Sequence, residues 1–148
     1  MQVTDEHVKA LRSYLSGDPE VWIPVHERLL ASGRAEGHES LIWAAFALLV
    51  RRKFSPTWSV DKVIRYVASV RASLGEQASL IDARVAESLM CRALGDEVNS
   101  EVLDKAGDKA KVHAELVMLM ALVSDANMDD SALDELLESA QKVANQWQ

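Results

Sequence analysis

DDSALDELLESAQKVANQW, Asp129 to Trp147, decides the fold class. Leu133, Leu136, Leu137, Ala140, Val143, Ala144 and Trp147 recur at steps of three and four, which lines one face of an α-helix. Acidic groups fill the opposite face. Asp129 or Asp130 supplies the N-cap and a negative first turn that suits the helix dipole.

The same grammar extends upstream. The eight residues Leu116 to Val123 are all apolar and end a helix that Gly107 frays or breaks. Asp82 caps a helix that runs through Leu94 and stops at Gly95. Ser59 caps another, with Trp58 placed to staple onto Val63. Its apolar stripe is Val60, Val63, Ile64, Val67, Val70 and Leu74, and Gly75 closes it. A helix over about 39–53 is apolar nearly all round. Ile42, Trp43, Phe46, Leu49 and Val50 share one side, while Ala44, Ala45 and Ala47 keep the other thin. Gly33 to Gly37 reads as a flexible link before it.

Asp18-Pro19 opens a further helix toward Gly33, either kinked or split at Pro24 because an internal proline removes a ladder hydrogen bond. The first helix spans Thr4 to Ser16, with Val8, Leu11 and Leu15 on one face and Gly17 as its stop. No segment alternates with period two over a strand's length. A short likeness between Ala86–Met90 and Ala114–Met118 covers one helix and needs no repeat to explain it.

This reading predicts an all-α fold. It is a compact bundle or orthogonal array of six to seven helices in a single domain over 1–148, with helices 39–53 and 112–123 at its centre. A chain of 148 residues buries enough surface to fold without staples, and its one cysteine, Cys91, allows no internal disulfide. The polar, acidic start at Met1 to Glu6 reads as no secretory leader. The longest apolar run, Leu41 to Val50, is half of what a membrane span needs, about 20 residues. The expectation is a cytoplasmic protein without a membrane partner.

The formal charge of −7 is unevenly spread. Residues 51–74 carry six basic groups and one acidic, whereas 75–148 carry six basic and fifteen acidic. Phosphate binding draws on clustered Lys and Arg, so an acidic chain argues against nucleic acid. The basic groups Arg51, Arg52, Lys53, Lys62 and Arg65 form the candidate interaction patch. The plainer alternative is that they complement a helix C-terminus and make an Asp61–Arg65 pair. Trp58 and Tyr66 among those charges resemble a stacking surface for a nucleic-acid strand, but six charges are few for one.

Other candidates carry less chemistry. Asp125-Ala126-Asn127-Met128-Asp129 begins as an EF-hand loop begins. The turn glycine is replaced by Asp130 and the bidentate glutamate by Leu136, so it reads as a capping loop. The four histidines form no metal motif, and His26 and His38 adjoin carboxylates that point away on a helix. His113 falls among Ala106, Ala110, Val117 and Met120, as a core histidine with one hydrogen-bond partner or as a ligand or pH-sensing group. Arg71 lies inside the stripe of helix 59–75. Buried, it needs a carboxylate or carbonyl partner; otherwise it snorkels and caps carbonyls one turn from the helix end. Cys91 projects away from Val85, Leu89 and Ala93, with no histidine to activate it. Gly33 to His38 lacks the Lys-Ser/Thr and the preceding strand of a phosphate loop.

No catalytic, cofactor or metal constellation emerges, which argues against an enzyme. The charge polarity suits a protein-interaction or regulatory module with a protein partner or in a homo-oligomer, for instance an acidic regulator masking a basic surface. The alternative is a small-ligand binder with an apolar pocket between helices, anchored by His113 and Arg71.

Overall fold

The computed structural model describes residues 2–15, 24, 28, 35–96 and 100–146, and no strand occurs among them. The elements are α1 (Asp5–Leu15), α2 (Ala35–Phe54), α3 (Val60–Leu74), a 3-10 turn (Gly75–Leu80), α4 (Ala83–Ala93), α5 (Ser100–Asp125) and α6 (Asp130–Gln146). The all-α class read from periodicity holds. The helix placed over 18–33 and its kink at Pro24 lie outside the described residues, as do Gly17, His26 and Trp147.

The chain divides into two compact units, Met1–Ala45 with Val123–Gln148, and Phe46–Leu122. In the first, α1 packs on α6. Leu133, Leu136, Leu137, Ala140 and Ala144 of α6 are buried, as their spacing required. Asp129 caps this helix, its carboxylate accepting from the Ala132 amide at 2.8 Å. The residues before α1 are tied down by side chains of α6. Asn145 accepts from the Val3 amide at 2.8 Å, and Gln141 donates to the Val3 carbonyl at 3.1 Å. That pairing lets Val3 be buried without orphaned backbone groups. Arg12 reaches Asp130 and Asp134, each at 2.9 Å, across the exposed edge of the same helix pair. These partners raise the Arg12 pKa above its ordinary value, Asp134 contributing most.

At the start of α1, the Thr4 amide donates to His7 Nδ1 at 3.0 Å. His7 thus occupies the place where a capping box uses Glu or Gln. It is buried, and its ring lies against Gly37 of α2. The sequence placed a flexible link over Gly33 to Gly37. Instead α2 begins at Ala35 and carries Gly37 inside it. The glycine serves close approach to the His7 ring there, not chain flexibility.

In the second unit α3 packs on α4 and on the 3-10 turn that joins them. Ser59 caps α3, its hydroxyl accepting from the Lys62 amide at 3.2 Å, and Gly75 ends it at φ 58°. Asp82 caps α4 by accepting from the amides of Arg84 and Val85. Gly95 follows α4 with φ 95°, beyond Leu94. Gly107, at φ 81° and ψ 161°, breaks α5 where its sequence position foretold. Among the described residues no helix is long and apolar enough to cross a membrane.

Two stripes differ from expectation. On α3 the buried residues are Val63, Val67 and Val70, while Val60 and Ile64 are exposed at 47% and 44%. On α5 the buried face is Ala114, Glu115, Met118, Leu119, Leu122 and Val123, which turns His113 outward. His113 is therefore not a core histidine. A segment apolar on nearly every side has no sequence-defined phase, so packing chose the face.

Candidate functional site

Five basic groups of the second unit, Arg51, Arg52, Lys53, Lys62 and Arg65, lie on the end of α2 and the first half of α3. A helix C-terminus leaves carbonyls unpaired, and cations settle there. Arg51 applies this to another helix: its Nε donates to the Ala93 carbonyl, the last residue of α4, at 2.8 Å. Lys53 Nζ stands 4.9 Å from the centroid of Tyr66, whose ring meets Phe54 edge-on at 5.7 Å. These contacts bring the end of α2 onto the first half of α3. Lys62 Nζ donates to the Thr57 carbonyl at 3.0 Å, and Arg65 pairs with Asp61 at 3.1 Å, the i,i+4 pair read from sequence.

Arg51, Arg52, Lys53, Lys62 and Arg65 are all exposed. Carbonyl and ring partners fix Arg51, Lys62 and Lys53 without cancelling their charge, whereas Arg65 is paired with Asp61, the one acidic residue from 51 to 74. The surface is therefore strongly positive in a chain whose formal charge is −7. Tyr66 is half-buried, with Lys53 over its ring and Phe54 meeting it edge-on.

Val60 and Ile64 belong to this surface and were missed by sequence reasoning. At about 100° per residue they sit roughly 40° apart on α3, on one margin of its exposed arc. Arg65 and Lys62 follow at roughly 100° and 160° from Ile64. Asp61, at roughly 60°, lies between Ile64 and Arg65, so the exposed arc runs from apolar residues through the Asp61–Arg65 pair to Lys62. The available signal was the width of the stripe, since six apolar positions exceed what three buried valines use.

Arg71 is half-buried, and its Nε donates to the Ala78 carbonyl of the 3-10 turn at 3.2 Å. Both readings given for it allow a carbonyl partner, and this one lies in the 3-10 turn, past the end of α3 at Leu74. A groove of about 370 Å³ lies between the start of α4 and the first half of α5, lined by Asp82, Arg84, Val85, Glu101, Val102, Lys105 and Ala106. Neither proposed pocket anchor, His113 or Arg71, lines it.

The titratable interior is spare. Cys91 is buried, and burial, with Asp96 and Glu87 nearby, pushes its thiol pKa up, away from the reactive thiolate. Burial also raises the Glu87 carboxyl, against the opposing pull of Arg84 and Arg71. His7, His38, Ser88 and Glu115 are buried polar residues. Among the described residues no three His, Cys, Asp or Glu side chains are grouped to hold a metal ion. No protein-family model, curated protein or solved structure matches this chain.

Proposed function

We propose that this chain is a small helical protein-interaction module whose contact surface is the end of α2 and the exposed arc of α3. The observation that supports it most is the exposure of Val60 and Ile64 beside Arg65. Large apolar side chains exposed singly are ordinary, but two adjacent ones with a basic margin resemble a binding rim more than a solvated face. They are the exposed large hydrophobic residues among those described. The module reading also suits a reducing cytoplasm, where a buried, unreactive Cys91 stays a thiol.

The test is site-specific photocrosslinking in native cells. A benzoylphenylalanine at position 64 is compared with one at position 138, an exposed site on α6. Discrete protein adducts from position 64 and not from 138 are expected. Equal adducts from both, or none from 64, would sink the reading.

A further inference from the structure

We infer that the occupant of this surface is an acidic amphipathic helix of another protein. The inference rests on the interaction reading above and adds the chemistry of the partner. The exposed arc of α3 offers Val60 and Ile64 at one margin and small Ala68 and Ala72 beyond them, then Asp61 paired with Arg65, and Lys62 at the far margin. A helix laid along it meets apolar surface on one side and cations on the other. The complement is therefore a helix with apolar residues at i and i+4 flanked by Asp or Glu. Arg52 and Lys53 extend the positive field past the start of α3, so long-range steering also selects an acidic partner.

A second copy of this chain fits poorly. Two-fold pairing through α3 would set one basic surface against another. Head-to-tail pairing would bring the exposed acids of α6, Asp130, Asp134, Glu135 and Glu138. Yet among the described residues of α6 no large apolar side chain is exposed to place on Val60 and Ile64.

The probe is a labelled, lactam-stapled peptide with Leu at i, i+4 and i+7 and Glu at the flanking positions. Its twin carries Lys in place of every Glu. Fluorescence anisotropy with the full chain is expected to show micromolar binding of the acidic peptide, at least tenfold weaker binding of the twin, and loss of affinity on raising salt. Ile64→Ser, at an exposed position, is expected to weaken the acidic peptide at least fivefold with an unchanged circular dichroism spectrum.

Lys62→Glu with Arg65→Glu is expected to reverse the preference toward the Lys twin. Glu at position 62 completes the capping box that Ser59 begins, which offsets the lost Lys62–Thr57 bond and the Asp61–Glu repulsion, and an unchanged circular dichroism spectrum checks the fold. Equal binding of both peptides, binding of neither at millimolar concentration, or an unmoved preference in the double variant would overturn the proposal. So would sedimentation showing a dimer that Ile64→Ser dissolves. If position 64 still crosslinks to a protein in those cases, the occupant is wrong and the interaction reading stands. If it does not, both fall.

Discussion

The His7 imidazole lies so close to Gly37 that a Cβ built there would stand 2.7 Å from its Cε1 and 2.9 Å from its Nε2. The ring has little room to retreat, since it is buried and its Nδ1 takes the Thr4 amide. Gly37→Ala is therefore expected to destabilise the protein by about 1–3 kcal/mol, an overpacking cost, although alanine is the better helix former. In a His7→Ala background the same change is expected to cost nothing or to stabilise. Urea unfolding of the four chains of this cycle reads the coupling, and strict additivity would refute the close-packing account.

Arg51 is expected to act on stability where its neighbour does not. Removing its hydrogen bond to the Ala93 carbonyl by Arg51→Ala should cost about 0.5–1.5 kcal/mol. Arg52→Ala should stay within about 0.5 kcal/mol of the parent, as exposed sites without such a contact do. Arg51→Lys keeps the charge but loses the Nε donor, so it should recover only part of the difference. Equal midpoints for the Arg51→Ala and Arg52→Ala chains would contradict this division.

Glu87 gives a signed pH dependence. Burial raises its carboxyl pKa in the folded chain above the ordinary 4.5. The folded state then holds the proton more tightly than the unfolded one, so stability falls as pH rises from the ordinary value through the raised one. Glu87→Gln removes that loss. Its gain in thermal midpoint should be present at pH 7 and shrink to nothing below about pH 4. A gain that persists unchanged into acid would assign it to some other cause.

Cys91 should be silent in the native state. Its burial and raised pKa leave little accessible thiolate. Dithionitrobenzoate is expected to react with one thiol per chain in urea and with essentially none in native buffer. Rapid native reaction would mean that α4 opens readily.

The helical code was legible wherever a cap, a stripe and a stop agreed. Ser59, Val63, Val67 and Gly75 bound α3 as their order implies, and Asp82 and Gly95 do the same around α4. These signals are local, set by φ, by unpaired amides at helix starts and by the 3.6-residue turn, so the chain alone carries them.

The sequence by itself determined the all-α class, most helix limits, the break at Gly107 and the positive segment 51–74. The tertiary structure alone decided which apolar residues are covered. It left Val60 and Ile64 outside, turned His113 to solvent and drew Gly37 into a helix against His7. The physical reason is that periodicity states which residues share a face, whereas burial depends on what arrives to cover it. Where an apolar stripe is wider than its contact, as on α3, or a segment is apolar on more than one side, as the second half of α5 is, only the neighbouring helices choose what is covered.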